Sequence, residues 1–116
     1  MNEKDRFHFN ILKRMALGDN NAFDKIALIF DFDGQQIDTL CDVFEEFEQR
    51  DFTYGELEKR LSETLRLNYQ DLKTIIHCLY DDHRYVDVIG TYLRSNKKIV
   101  GNLSLEYISI ARELGI

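Results

Sequence analysis

The sequence predicts an all-α protein: a compact bundle of about six short amphipathic helices that forms a single domain, residues 1–116. Apolar residues recur at intervals of three and four along most of the chain, which is the spacing of a helix with one buried face. Two successive segments also carry helix-start signals. The chain has no proline and no Gly/Ser-rich linker, so nothing in it marks a domain boundary.

The size and composition suit one globular domain. A length of 116 residues is within the usual range for a single core, and 44% hydrophobic with 12% aromatic residues is too apolar for a disordered chain. No apolar run approaches the roughly 18 residues that indicate a membrane span. The first residues alternate charged and apolar side chains, unlike a secretory signal. We therefore expect a cytoplasmic protein with no membrane association.

The first two helices are predicted from their apolar spacing. The opening helix is expected to stop at Gly18, and the second to extend from Ala22 to Phe30. The apolar positions are Phe7, Ile11, Leu12 and Met15 in the first helix and Phe23, Ile26, Ala27 and Phe30 in the second.

A third helix is predicted from about Gly34 to Arg50. Asp33 is its expected N-cap, and Gln36 completes a capping box by reaching back to the N-cap backbone. The apolar stripe of this helix consists of Ile37, Leu40, Cys41, Phe44 and Phe47. Its acidic residues are then expected to face water.

Capping boxes predict the next two helices. Thr53 is the expected N-cap of the fourth helix, with Glu56 three residues later, and Asn68 is the expected N-cap of the fifth, with Asp71 in place of the usual Glu or Gln. Hydrophobic staples are expected between Phe52 and Leu57 and between Leu67 and Leu72.

The last helices again follow from periodicity, and six or seven helices fit the length of the chain. One helix follows a turn at residues 81–84, and the terminal helix is expected to begin near Asn102 and end at Gly115. The apolar positions are Leu72, Ile75, Ile76, Leu79 and Tyr80 in the fifth helix, Tyr85, Val86, Ile89, Tyr92 and Leu93 in the sixth, and Leu105, Ile108, Ala111 and Leu114 in the last.

The stretch "IALIFDFDGQQIDTL" is similar to the first motif of the haloacid dehalogenase-like hydrolases. That resemblance implies a Mg²⁺-dependent phosphohydrolase with Asp31 as nucleophile and Asp33 as general acid/base. Gln35 stands where the motif has threonine, and the chemistry requires a parallel sheet for which this chain supplies no second convincing strand. We therefore expect Lys25–Phe30 to be helical and keep the hydrolase as an alternative. A calcium EF-hand in the same loop is excluded, because apolar residues occupy its first and twelfth positions.

Charge disfavours nucleic-acid binding. The net charge is −6, and between Ile26 and Gln49 there are seven acidic residues and no basic one. Nucleic-acid binders normally present a basic face, for which Arg94, Lys97 and Lys98 are the local candidates. The terminal segment "SLEYISIARELGI" resembles the first helix of a helix-turn-helix, although no second helix follows it. A DNA-associated regulator with this degenerate motif is a further alternative.

No residue is predicted to be catalytic, to bind a cofactor or to hold a metal. His77 and Asp81 share a helix face, with His83 nearby, but no signature spacing supports a metal site. Cys41 and Cys78 lie at apolar helix positions and are expected to be reduced core thiols.

The aromatic content favours association with a partner. The chain has six tyrosines and eight phenylalanines, and we expect a small core not to bury all of them. The residues in question are Phe7, Phe9, Tyr54, Tyr69, Tyr80, Tyr85, Tyr92 and Tyr107. A homo-oligomer is the expected outcome, with a protein partner at an aromatic or acidic helix face as the other possibility.

Three segments in order, "ALIFDFDGQQIDTLCDVFEEF", "FTYGELEKRLSETL" and "IIHCLYDDHRYVDVIGTYL", together resemble the YhaI-type proteins of Gram-positive bacteria. The resemblance covers roughly Phe23 to Arg94. It implies an all-α fold, and because this family has no known function, it implies no catalytic residues. The sequence thus favours a non-enzymatic helical protein that acts through protein contacts as an adaptor or regulator.

Overall fold

A computed structural model describes residues 2–19 and 21–116, and these residues form seven α-helices with no strand among them. The all-α prediction is confirmed, with one helix more than the approximate number expected. The helices are α1 Glu3–Ala16, α2 Ala22–Ile29, α3 Gly34–Glu46, α4 Tyr54–Leu65, α5 Tyr69–Asp81, α6 Val86–Val100 and α7 Leu105–Glu113.

The predicted caps position the starts of three helices. Asp33 accepts a hydrogen bond from the backbone N–H of Gln36 at 2.8 Å, and the Gln36 side chain accepts one from the N–H of Asp33 at 2.9 Å. Asn68 and Asp71 form the same reciprocal pair at 2.9 and 3.0 Å. At α4 the box is looser, because the Glu56 carboxylate lies 3.4 Å from both the backbone N and the hydroxyl of its cap residue. All three N-cap residues were predicted correctly, but the Thr53 side chain does not accept the backbone hydrogen bond that Asp33 and Asn68 accept.

Helix α5 is the centre of the bundle. It packs against α2, α6 and α7, while α4 links α3 to α6 and α1 lies against α2. The side chains that this arrangement buries most completely include Leu40, Phe44, Leu57, Leu61, Leu72, Ile75, Ile76, Leu79, Ile89 and Tyr92. Most of these residues belong to the predicted apolar stripes, so periodicity located the core of α3, α5 and α6.

The terminal helix corrects two predictions. It begins at Leu105 instead of near Asn102, and its buried residues are Tyr107, Ile110 and Ala111. Leu105 is 84% exposed and Ile108 is 37% exposed, although both were expected in the core. Two sets of apolar residues in α7 have helical spacing, and only the positions of α5 and α6 decide which set is buried.

Two other boundaries differ from expectation. Helix α3 ends at Glu46 instead of near Arg50, and Phe47 is its C-cap. Phe47 remains buried because its ring packs edge-on against Phe52, with 4.9 Å between the centroids. In α1, Leu12 was expected in the core but is 53% exposed.

Candidate functional site

The hydrolase-like stretch is helical as predicted, although the helix ends at Ile29 and Phe30, the expected last residue, is its C-cap. The carboxylates that follow it have structural partners. Asp31 follows the helix with a left-handed backbone, φ 56°, and its carboxylate lies 2.9 Å from the Nζ atom of Lys4. This hydrogen bond from Lys4 holds the pKa of the Asp31 carboxyl below its usual value. Asp33 caps α3. The strand on which the hydrolase chemistry depends is therefore replaced by a helix, and the two aspartates stabilise the α2–α3 connection.

Replacing Asp33 with alanine is expected to lower the free energy of unfolding by about 1 kcal/mol, because the first turn of α3 loses its side-chain acceptor. Urea denaturation measures this change. Asp38→Ala removes the same charge from an exposed position of the same helix and is expected to have little effect. Equal losses in the two variants would contradict the capping role.

Two of the three candidate metal ligands, His77 and Asp81, line one surface pocket, and His83 does not line it. His77 makes a hydrogen bond through Nε2 with the backbone carbonyl of Glu106, and Asp81 is exposed at the end of α5. His83 lies in the following turn with φ 57°. Within residues 2–19 and 21–116 no group of three or more His, Cys, Asp or Glu side chains is arranged to hold a metal ion.

Both cysteines are free thiols, Cys78 buried and Cys41 half-buried. Burial raises the pKa of each thiol above its usual value. A protonated thiol is a poor nucleophile, so this environment makes both side chains unreactive near neutral pH.

The acidic stretch between α2 and the end of α3 receives its basic partners from other parts of the chain. Lys4 binds Asp31, and Arg60 of α4 binds the Glu46 carboxylate with two hydrogen bonds of 3.0 and 2.9 Å. The hydrogen bonds from Arg60 hold the pKa of Glu46 below its usual value. Acidic residues that remain exposed include Asp38, Asp42 and Glu48. Two of the seven carboxylates are therefore paired with basic groups, although all of the seven except Asp33 remain exposed at the surface.

The core buries more of the aromatic residues than expected. Tyr92 and Tyr107 are buried, while Phe7, Tyr54, Tyr80 and Tyr85 are half-buried. Phe9 remains 52% exposed and Tyr69 57% exposed. Of the aromatic residues singled out in the sequence, these two present the largest fraction of their surface to solvent.

One exposed apolar surface lies on α1. Phe9, Leu12 and Ala16 follow one another at intervals of three and four, so they form a single stripe, here called the α1 face. All three are exposed, while Ile11 on another side of the helix is buried. Among the described residues, α2 is the one helix with which α1 makes extensive contact. The α1 face can therefore accept another apolar surface without any change in the bundle.

A second apolar surface lies where α6 meets α7. Ile99 and Val100 at the end of α6 are exposed, as are Leu105 and Ile108 on α7. Of these, Ile108 lines a groove of about 390 Å³ whose walls include Lys97 and Arg112. This groove was not predicted, because Ile108 was expected in the core.

A third feature is a cleft of about 250 Å³ between α4, α5, α6 and α7, here called the tyrosine cleft. Four tyrosines line it: Tyr54, Tyr69, Tyr92 and Tyr107. The hydroxyl of Tyr92 donates a hydrogen bond of 2.6 Å to Glu58, and Lys73 also lines the cleft. Sequence reasoning missed this site, because its residues come from four helices and share no local motif.

No helix in the described part of the chain combines the length and the apolar character required to cross a bilayer.

Comparisons with protein-family models, with curated proteins and with solved structures give no match for this chain. The similarity to the YhaI-type proteins therefore stays a prediction.

Proposed function

We propose that this protein is a non-enzymatic adaptor or regulator that acts through protein contacts, and that two copies associate through the α1 face. The observation that carries the proposal is the exposure of Phe9 and Leu12 on a helix that packs against one neighbour. Exposed large apolar side chains in one stripe are typical of a helix that packs against another subunit.

The charges of α1 support a second copy of the same chain as the occupant. The first turn contains Glu3 and Asp5 among two bases, of which Lys4 is bound to Asp31. The last turn contains Lys13 and Arg14, and Arg14 is bound to Asp24. With Lys4 and Arg14 paired, residues 3–6 keep one net negative charge and Lys13 keeps one positive charge. When two α1 helices pair antiparallel, the acidic end of each lies beside the basic end of the other. This arrangement has two-fold symmetry, which is the commonest symmetry of homo-oligomers. A parallel pair would instead place like charges together.

Two further expectations belong to the same proposal. A relationship to the YhaI-type proteins is supported by residues 23–94, in which every regular element is a helix. A cytoplasmic location is supported by the two free thiols, because disulfides are rare in that compartment.

Phe9→Asp is the direct test of the α1 face. Two-fold symmetry places the new carboxylate on both copies, so we expect the dimer dissociation constant to rise by about 100-fold through desolvation and like-charge repulsion. Sedimentation velocity over a concentration series measures the constant. Helix α1 is only about 21 Å long, so the dimer buries a small area and is expected to be weak. The concentration series must therefore extend to high protein concentration.

Ile99→Asp is the matched control, because Ile99 is 56% exposed, close to the 52% of Phe9, but lies on α6. We expect this variant to dimerise like the unmodified protein. A monomer at every concentration in the unmodified protein would contradict the proposal. Dissociation in Ile99→Asp with an intact dimer in Phe9→Asp would place the interface at the α6–α7 surface instead.

Charge reversal tests the antiparallel orientation. Lys13→Glu leaves acidic side chains near both ends of α1, so we expect weaker association by about three- to fivefold, as for exposed ion pairs. Adding Glu3→Lys restores opposite charges at facing ends and should recover much of the loss. Circular dichroism of each variant checks that α1 remains helical. Additive weakening in the double variant would contradict the antiparallel pairing.

A further inference from the structure

The tyrosine cleft contains a buried hydroxyl that lacks a partner. Tyr107 is 3% exposed, and its hydroxyl makes no hydrogen bond to any described residue. Desolvation raises the pKa of Tyr107, and the neighbouring phenol of Tyr92 opposes that rise. The two hydroxyls nevertheless do not meet hydrogen-bond geometry, and Tyr92 donates its proton to Glu58. Leaving a buried hydroxyl unsatisfied destabilises the protein, and a ligand that bonds to the hydroxyl would remove that cost.

Burial determines what this hydroxyl can bind. A tyrosine phenol is protonated at neutral pH, and desolvation raises the pKa of Tyr107 further above its usual value. A protonated phenol donates one hydrogen bond. The group therefore suits an acceptor oxygen on a ligand.

Lys73 adds a positive charge to the same cleft. Its side chain is only 15% exposed, and its Nζ atom lies 3.5 Å from the Glu106 carboxylate and 5.4 Å from the centre of the Tyr69 ring. An ammonium group has three donor hydrogens, and one long contact with Glu106 leaves donors for a second anion. Glu58 also lines the cleft, where it accepts the hydrogen bond from Tyr92, so the ammonium and the neutral phenol of Tyr107 are the donors available to a ligand carboxylate.

The walls and the volume limit the rest of the ligand. Tyrosine rings dominate the lining, and aromatic rings favour stacked or edge-on contact with another planar ring. A protein cavity of about 150 Å³ is large enough for benzene. The 250 Å³ of the tyrosine cleft therefore holds one aromatic ring with a small substituent.

We propose that the tyrosine cleft binds a small aromatic carboxylate, with its ring between the tyrosines and its carboxylate at Lys73 and Tyr107. The site lies on α4–α7 and shares no residue with the α1 face. A negative result for dimerisation would therefore not contradict binding in the tyrosine cleft.

Benzoate is the probe, titrated into the full chain at constant ionic strength and followed by two-dimensional amide NMR. We expect saturable shifts for residues 92–96 and 104–107. Benzamide preserves the ring without the charge and should bind about tenfold more weakly, because hydrogen bonds to charged groups are the stronger kind. Cyclohexanecarboxylate preserves the charge without the planar ring and should also bind more weakly.

Two variants separate a binding role from a structural one. Tyr107→Phe retains the ring and should raise the dissociation constant of benzoate about three- to tenfold, the range for a single hydrogen bond. Lys73→Met should raise the dissociation constant of benzoate at least as much and should leave that of benzamide unchanged. Lys59→Met removes an exposed lysine outside the cleft and should change neither affinity.

The absence of saturable benzoate shifts would overturn the proposal. Equal affinity for benzoate and benzamide, or an unchanged benzoate affinity in both Tyr107→Phe and Lys73→Met, would also overturn it. Binding of cyclohexanecarboxylate as tight as that of benzoate would refute the assignment to aromatic ligands.

Discussion

Replacing Ile76 with alanine is expected to lower the free energy of unfolding by about 2–5 kcal/mol, the usual range for this substitution in a packed core. Ile76 is 0% exposed and lies on α5, the helix that packs against α2, α6 and α7. The substitution removes three buried carbon atoms and leaves a cavity. The helices packed around α5 cannot move far enough to fill it, because a protein interior is already close-packed.

Chemical denaturation by urea, followed by circular dichroism, measures the loss. Thr74→Ala is the control, because Thr74 is exposed on the same helix, and we expect a change within about 0.5 kcal/mol. A loss below 1 kcal/mol in Ile76→Ala would show that α5 is not the centre of the packed core.

The Asp82→Ala substitution is expected to cost about 2–3 kcal/mol, because hydrogen bonds to charged groups are worth more than neutral ones. The Asp82 carboxylate accepts hydrogen bonds from the backbone N–H groups of Ala22 at 3.1 Å and Phe23 at 2.6 Å. These are the first two N–H groups of α2, which have no partner within the helix. Asn21 satisfies the third, the N–H of Asp24, at 2.9 Å. Asp82 therefore completes the cap of α2 from a turn 60 residues away in the chain.

Two variants define the contribution of the Asp82 charge. Asp82→Asn retains one acceptor oxygen and should lose about half as much stability as Asp82→Ala. Asp81→Ala removes the neighbouring exposed carboxylate and should be close to neutral. Thermal unfolding of the three variants provides the comparison. Similar losses at positions 81 and 82 would indicate a general charge effect and contradict the cap.

The local features of the fold were predictable from the sequence. The Asp33 and Asn68 caps act over three residues, so the residues that make each hydrogen bond are visible together in the sequence. The stripes of α3, α5 and α6 were also predictable, because each of these helices has one clearly apolar side. The helical state of Lys25–Ile29 followed from the lack of strands with which this segment could pair.

The wrong predictions of buried residues occur in helices that have two apolar sides. In α7, Leu105 and Tyr107 belong to different faces, and both have the spacing of a buried stripe. In α1, Leu12 directly follows the buried Ile11 and also has helical spacing to other apolar residues, but it faces solvent. Periodicity shows that a helix can bury a face without showing which neighbour is available to cover it. Each of the two exposed faces that result is now a candidate for contact with another molecule.

The sequence by itself determined the helical class, the start of three helices and the residues of the central core, because those properties depend on interactions within one or two turns. The tertiary structure alone decided that Arg60 binds Glu46, that Asp82 caps α2 and that Tyr107 and Lys73 share a cleft. These groups are far apart in the chain, and their energies depend on distance and burial in space. Such quantities are fixed only when the helices have packed.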